Sequence, residues 1–279
     1  MGDSVDPVIA TGSDIPEDRN RARKSIPLRA IAAGRASGSY KLRTAENDDD
    51  LERVQRLRFA IFNVELGCGY ASSLRTGLDT DPFDQVAMHL IAETKQGEVI
   101  GTYRLQTGAD ALANLGFFCG GEFDLAPFRG IEPLTLELGR ACVRADHRNA
   151  AVIGLLWGGI LDHAASRGLR FLLGSCSLFS TAPAKAAAVY QRLQRSHLAE
   201  LSFRTVPLPE CAIPLGLKDS IPPPIPKLFS AYLSFGAKVC GPPALDRDFR
   251  TSDFLCVIDL DSAPAYKDFR FFCKNHPSE

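Results

Sequence analysis

The chain has 279 residues, 45% of them hydrophobic, and its 32 Lys and Arg against 33 Asp and Glu leave a formal charge of -1. That much apolar side chain can fill one substantial core, while the charge balance excludes the globally basic surface of a nucleic-acid binder and confines any basic docking face to a local patch. No apolar run reaches the roughly 20 residues of a membrane-spanning helix, and the eight cysteines, no two closer than 16 positions, suit neither a zinc knuckle nor a redox pair.

Residues 1–38 are rich in Gly, Ser, Pro, Asp and Arg without an apolar period, which reads as a disordered arm. Eight cations and no acid lie between Arg19 and Arg43, a charge run suited to plain solvation, to peripheral contact with an anionic membrane surface or to an acidic protein partner. The start of the chain lacks the apolar stretch of a secretory signal, so the expected setting is the cytoplasm, with reduced, mostly buried thiols and at most a peripheral place on the inner membrane. The folded part is expected over 39–265, with a Pro-rich loop at 207–226 inside it and a polar tail at 266–279.

At NDDDLERVQRLRFAIF, Asn47 to Asp50 can cap a helix whose apolar positions Leu51, Val54, Leu57 and Ile61 recur at helical spacing. VAMHLIAET and VIGTYRLQT flank KQGE and predict a β-hairpin. A loose Gly/Phe segment (108–133) leads to a strand at LTLELGRACV, a helix at AAVIGLLWGGILDHAASRG stopped by Gly168, a buried strand at LRFLLGSCS and an Ala-rich helix at APAKAAAVYQRLQRS. One more helical piece and a strand end at FLCVIDL. Such an order predicts an α/β (α+β) fold with a mixed, mostly antiparallel sheet flanked by helices. No dinucleotide fingerprint, Walker loop or nucleophile elbow follows any of the strands.

Six ionisable residues sit within or beside the most apolar segments: Arg58 in LRFAIF, Asp81 and Asp84 in DPFD, Arg104 in GTYRL, and Glu137 and Arg140 in LELGR. A buried charge costs several kcal/mol unless paired, so three cations and three anions in core-like elements are expected to find one another. Charge alone is equally compatible with structural glue and with an active site. On a regular strand Glu137 and Arg140 would point to opposite faces. A β-bulge at Gly139 would bring them to one face and free backbone N–H groups of the kind a developing oxyanion requires.

LRFAIF, DPFD, GTYRL and LELGR, in this order and at these intervals, resemble the hemolysin-like GNAT acyltransferases, a group that includes ornithine N-acyltransferases, N-acyl amino acid synthases and acyl-homoserine-lactone synthases. The resemblance runs from about residue 40 to 260, and YLSFGAKVCGPPALDRDFRTSDF resembles the ornithine branch. It implies a GNAT-like sheet with a bulged, splayed central strand pair. It also implies an acceptor pocket framed by Arg58, Asp81 and Asp84, with Glu137, Arg140 and Arg104 catalytic and Glu137 as general base. Ala141, Cys142 and Val143 would receive the pantetheine and the oxyanion, and the helix starting near Ala150 would face a phosphate. No cofactor is expected to stay bound. The RADHRNAAVIG segment lacks the glycines of the usual coenzyme A loop, which suits acyl carrier protein, with its 4'-phosphopantetheine thioester, as donor and partner. Arg144, Arg148, Arg167 and Arg170 are expected around the cleft mouth as its docking face, with L-ornithine or another amino acid as acceptor.

Two rival readings stand beside this one, an N-acyl amino acid synthase for another amine and a non-catalytic acyl-carrier-binding module. His89 and His163 read as structural, and no paired-His or HExxH spacing calls for a metal. Ser175 and Cys176 end a strand where a nucleophile could sit, but direct transfer needs none. Trp157 and Phe117, Phe118, Phe179 and Phe229 read as core, with a share in lining an acyl tunnel.

Overall fold

The computed structural model describes residues 35–216 and 222–263. Nine strands form one sheet: β1 (Arg35–Ser37), β2 (Tyr40–Thr44), β3 (Met88–Thr94), β4 (Val99–Thr107), β5 (Thr135–Val143), β6 (Phe171–Leu178), β7 (Lys238–Val239), β8 (Ala244–Asp246) and β9 (Thr251–Asp259). Their spatial order is β1-β2-β3-β4-β5-β6-β9-β7, with β8 also paired to β9. Every pairing is antiparallel except β5 with β6. The helices are α1 (Asp48–Phe59), continued by a π-helical turn at Ala60–Glu65, α2 (Ser73–Thr76), α3 (Gly108–Ala113), α4 (Ala150–Ser166), α5 (Pro183–Leu193) and α6 (Lys227–Ser234). This is the mixed, mostly antiparallel sheet with flanking helices that the sequence pattern predicts.

Local signals act where expected. Asn47 caps α1 by accepting from the Asp50 N–H (2.9 Å), Asn149 caps α4 by accepting from Val152 (3.1 Å), and Gly168 takes the left-handed conformation just past α4 (φ 68°). The hairpin turn between β3 and β4 likewise places Gly97 at φ 83°. Strand alternation divides the core. Leu172, Cys176 and Leu178 of β6 join Leu42, Leu90 and Ile100 against α4, while Phe171 and Leu173 join Phe117, Phe123, Phe128, Leu255 and Val257 on the other face. Gly159 lets α4 lie directly on the sheet, since a Cβ there would stand 2.5 Å from Leu42.

Three pieces of the sheet escape the periodicity. The segment read as an arm ends in β1, and β2 follows it at the sheet edge; residues 1–34 and the tail lie outside the described residues. Arg43, counted above in a basic run, is held by Asp50 (2.5 Å) and Glu93 (3.2 Å), so its charge is spent inside the fold. Strands β7 and β8 are two and three residues long, too short for an alternation to register.

The parallel pair positions the cleft. β5 and β6 pair only where Thr135–Glu137 meet Phe171–Leu173, and beyond that point no pairing joins them although both strands continue. Gly174 sits at the last close approach, where a Cβ would stand 2.4 Å from the Leu138 carbonyl oxygen. Gly174→Ala is therefore expected to destabilise the fold by about 1–3 kcal/mol through strand displacement. Gly139→Ala, whose Cβ would meet nothing within 4 Å, should change stability by less than about 0.5 kcal/mol; urea midpoints of the two variants check the contrast.

Candidate active site

The DPFD segment folds as a capping box on a single 3-10 turn. Asp81 accepts from the Phe83 N–H (2.9 Å), Asp84 accepts from the Asp81 N–H (3.4 Å), and Pro82 occupies the first helical position. The turn thereby aims both carboxylates at the sheet. Arg58, fully buried on α1, grips Asp84 with both terminal nitrogens (2.8 and 2.7 Å). Arg104 on β4 reaches Asp81 (2.5 Å) and Asp84 (2.9 Å), and Arg140 on β5 reaches Asp81 (2.8 Å). Asp79 closes the ring, 2.8 Å from Arg58 Nε and 3.8 Å from Arg140 Nε. Gln55 donates to Asp84 as well (3.0 Å).

Three arginines thus balance three aspartates, but the third acid is Asp79 and not Glu137. Asp79 stands two positions before Asp81 in LDTDPFD, so the spacing signal lay in the sequence beside the motif. Burial opposes ionisation of Asp84, yet the hydrogen bonds and charges of Arg58 and Arg104 outweigh it and hold its pKa well below the usual carboxylate range. Burial likewise keeps His89 below its ordinary value, in line with a packed, neutral ring whose Nε2 lies 3.1 Å from the Asp84 carbonyl oxygen.

Glu137 stands apart from the ring. Its two oxygens accept from the backbone N–H groups of Phe118 and Cys119, both at 2.8 Å, and burial raises its pKa above the ordinary value. The loop it anchors carries Phe118, whose ring lies 5.0 Å from the Arg104 guanidinium carbon and 5.1 Å from that of Arg140. Tyr70 and Phe249 complete an aromatic cage around Arg140 at 4.8 and 4.7 Å. Phe118 therefore belongs to the site rather than to the core, and the cage had no spacing signature because its members come from three separate segments.

The bulge is present at the expected place with a different residue at its centre. Pairing passes from Thr102–Cys142 to Arg104–Gly139, so Tyr103 alone faces both Arg140 and Ala141. Arg140 itself is the left-handed residue (φ 49°), whereas Gly139 is not among the positive-φ glycines. A non-glycine residue in that conformation costs about 1–3 kcal/mol, and the Asp81, Tyr70 and cation–π contacts of Arg140 hold it there. The outcome is the one the pattern called for, with Glu137 and Arg140 lining one cavity.

That cavity, about 440 Å³, runs through the gap between β5 and β6. Arg104, Gln106, Phe118 and Glu137 line it on one face of the sheet; Tyr103, Leu138, Phe229 and Tyr232 line it on the other. Along β5, Arg144 donates its N–H to Ile100 of β4 (2.8 Å). By alternation the Val143 amide points the other way, into the gap, where Arg148 Nε donates to the Val143 carbonyl (2.8 Å). Cys142 pairs with Thr102, and burial pushes its thiol up to about 12. Of the segment Ala141–Val143, all of which lines the cavity, Val143 is the residue whose amide is best directed.

The four arginines expected at the cleft mouth do not cluster. Arg144 and Arg148 precede α4, and Arg148 lines the cavity while paired to Glu65 (2.5 Å). Arg167 and Arg170 follow α4, which over 17 residues separates the two pairs by about 25 Å. Arg170 is bound to Asp259 (2.6 Å). Positions at either end of one helix are near in sequence terms but held apart in space by its length.

Other candidates resolve simply. His163 is buried and pushed down to about 4, a neutral ring inside the fold. A hydrogen bond with Cys256 and burial raise the Cys176 thiol well above its ordinary value, the opposite of an activated thiolate. Trp157 is core, against Tyr232 and Phe235 (5.0 and 4.5 Å); Phe179 is half exposed at the cavity wall. Unforeseen was a group of three acids, Glu122, Asp246 and Asp253, whose carboxylate oxygens lie within 4.8 Å of one another. No helix among the described residues is long and apolar enough to cross a membrane.

A bulged strand, a splayed parallel partner and an open cavity through the splay define an acyl-transfer fold of the GNAT class, and the acetyltransferase (GNAT) domain profile matches residues 57–158. The chain is 32% identical over 237 residues to the L-ornithine N(alpha)-acyltransferase of Rhodobacter capsulatus, covering 80% of this chain and 91% of that one. It is 29% identical to the protein of the same name from Agrobacterium fabrum, covering 81% and 82%. The chain belongs to this family of GNAT-type acyltransferases and is an enzyme. Among solved structures, an N-acyl amino acid synthase from uncultured soil microbes superposes with a TM-score of 0.49 at 11% identity, covering 84% of this chain and 94% of that one.

Removing one partner of the ring leaves buried carboxylates uncompensated, so Arg58→Ala is expected to destabilise the protein by about 3–5 kcal/mol in urea titrations at pH 7. The pKa of Asp84 is lowered on folding, so its contribution is present above the unfolded value near 3.8 and disappears as pH falls through the lower folded one. The wild-type protein should therefore lose more stability than Arg58→Ala on acidification below about pH 4.

Proposed function

We propose that this enzyme forms an amide between a 3-hydroxyacyl chain delivered on acyl carrier protein and the α-amino group of L-ornithine, giving a lyso-ornithine lipid. The observation that carries the reading is the cavity itself, which joins Glu137 and Arg104 on one face of the sheet to the apolar Tyr103–Tyr232 side through the β5/β6 gap. The names of the relatives supply ornithine as acceptor.

In this mechanism the acceptor nitrogen attacks the thioester carbonyl carbon, a C–N bond forms and the carbonyl oxygen becomes an oxyanion. The amide of Val143, with the Ala141–Val143 backbone around it, receives that oxygen and aligns the pantetheine arm. Collapse breaks the C–S bond, and the thiolate takes up one proton, from solvent or from the carboxyl that Glu137 becomes, and leaves as the thiol. Glu137, as base, takes the proton released by the nitrogen, directly or through a water, using the lone pairs that Phe118 and Cys119 leave free. Arg104 and Arg140 hold the acceptor's carboxylate side of the pocket, with Arg58, Asp79, Asp81 and Asp84 as the rigid frame behind them. The first turn of α4 faces the pantetheine phosphate. Arg148 at the cavity wall and Arg144 beside it are the cations that meet the acidic carrier, each exchanging its present partner, Glu65 or Asp146, for an acid of the carrier. Arg167 and Arg170, about 25 Å away along α4, are left out of that docking face.

Incubation of the purified protein with 3-hydroxyacyl carrier protein and a mixture of amino acids, with products identified by mass, tests the reading. N-acylornithine is the expected product. Acylation of a different amine would retain the chemistry and replace the acceptor, and no thioester consumption with any amine would overturn the reading in favour of a carrier-binding module. Glu137→Gln should lower kcat at least about 100-fold and, because the amide cannot accept at both positions, cost about 1–3 kcal/mol of stability. Its pH profile separates base from anchor: the wild-type rate falls as pH drops through the raised Glu137 pKa, and the residual activity of the variant should lose that limb.

A further inference from the structure

Register places one more chemical group on the acceptor side of the sheet. Glu137 pairs with Leu173, Ser177 with Asp253, and paired residues point to the same face, so Glu137, Ser175, Ser177 and Asp253 share it. Ser175 Oγ lies 3.5 Å from Glu122, and Asp246 of β8 lies beside them, its carboxylate accepting from the Phe249 N–H (2.7 Å). Asp246 and Asp253 both line the cavity that Glu137 lines. Asp253 is only 5% exposed, accepts from Thr251 with one oxygen (3.2 Å) and leaves Oδ1 with no hydrogen-bond partner. Among the described residues no Lys or Arg forms an ion pair with any of the three acids.

Three carboxylates that close, two of them buried, cannot all be ionised without a counter-charge. Burial and the neighbouring acids raise Glu122 well above the ordinary carboxylate range, and burial first, then Asp246, brings Asp253 to about 6. The Arg58–Asp84 ring, of which Arg104 and Arg140 reach the same cavity, shows the contrasting arrangement, with every acid matched by a guanidinium.

We infer that Glu122, Asp246 and Asp253 form a cation subsite that holds the side-chain ammonium of the amino-acid acceptor, making the enzyme selective for diamino acids. The three N–H donors of an ammonium match three convergent carboxylates. Ser175, next to Glu122, is two residues along β6 from the partner of Glu137, about 7 Å, a span that a short methylene side chain bridges while its α-amino group stays near Glu137. The inference rests on the amide-forming reading above and adds which residues read the acceptor.

The test compares ornithine with norvaline, the same carbon chain without the side-chain ammonium, by kcat/KM with acyl carrier protein thioester and by calorimetric binding to the free enzyme. The wild-type enzyme should favour ornithine by about 100-fold or more. Asp253→Asn should lower kcat/KM for ornithine by about 10- to 100-fold and leave the norvaline value within about twofold. Glu122→Gln is read in the same way and serves if Asp253→Asn does not fold. Equal use of the two amino acids by the wild-type enzyme, or equal loss of both in the variants, would overturn the inference. So would activity that EDTA abolishes and Ca²⁺ or Mg²⁺ restores, which would make the triad a metal site. Ornithine binding that depends on Asp253, without turnover of any thioester, would sustain the subsite and sink the reading on which it rests.

Discussion

The bidentate contact between Arg58 and Asp84 ties the first helix to the sheet through a charge that solvent does not reach. Everything else at the site is placed relative to it. Asp84 also accepts from Arg104 of β4, and Asp81, held at a fixed distance by the capping box, accepts from Arg104 and from Arg140 of β5. One 3-10 turn therefore couples α1, β4 and β5. Buried ion pairs are weak sources of net stability, because desolvation offsets much of the Coulomb attraction. Their value here is geometric, since three arginines with fixed partners have a single arrangement.

That rigidity carries the strain beside it. Arg140 adopts a left-handed backbone that a glycine would accept without cost, and the adjacent Gly139 does not take it. The arrangement is intelligible if the side chain is what matters at the bulge. Its guanidinium is clamped by Asp81, Tyr70 and the aromatic rings, and the clamp fixes the turn of β5 that follows. Beyond the turn, β5 and β6 no longer pair, and the strand edge from Ala141 to Val143 is open to the cavity. A chain of contacts thus leads from one buried guanidinium on α1 to the backbone amides at the cleft.

How much of this was legible depended on the range of the interaction. The hairpin, the two long helices and the bulge position followed from local pattern, because capping, turn glycines and strand alternation act within a few residues. The pairing of Arg58, Arg104 and Arg140 with Asp81 and Asp84 followed from the cost of burying charge, which is independent of the path the chain takes. The same argument places Glu137 in that network, whereas its oxygens are satisfied by backbone N–H groups, partners that sequence does not display. Arg167 and Arg170 stand away from Arg144 and Arg148 because a helix carries its two ends apart, and in the triad Asp246 and Asp253 share a local hairpin while Glu122 comes from a loop far away in sequence.

Two acidic groups, the aspartates bound to Arg58 and the Glu122–Asp246–Asp253 triad, illustrate one rule from opposite sides. A buried polar network is stabilising when every member is satisfied and costly when one is left over. The aspartates near Arg58 are each matched by a guanidinium of the chain, so they serve as frame, with Asp79 held there by charge alone and not by a side-chain hydrogen bond. Glu122, Asp246 and Asp253 have no matching guanidinium among the described residues, and the raised pKa of Glu122 lets a proton take the place that a bound cation would fill. An ammonium entering there displaces that proton and gains the attraction of the carboxylates, whereas a neutral side chain gains neither. Discrimination of this kind comes from the unsatisfied group and not from fit, since a missing methylene alone alters binding by only about 1–3 kcal/mol. On the inference drawn above, the missing counter-charge is thus what lets the cavity tell a diamino acid from a neutral one.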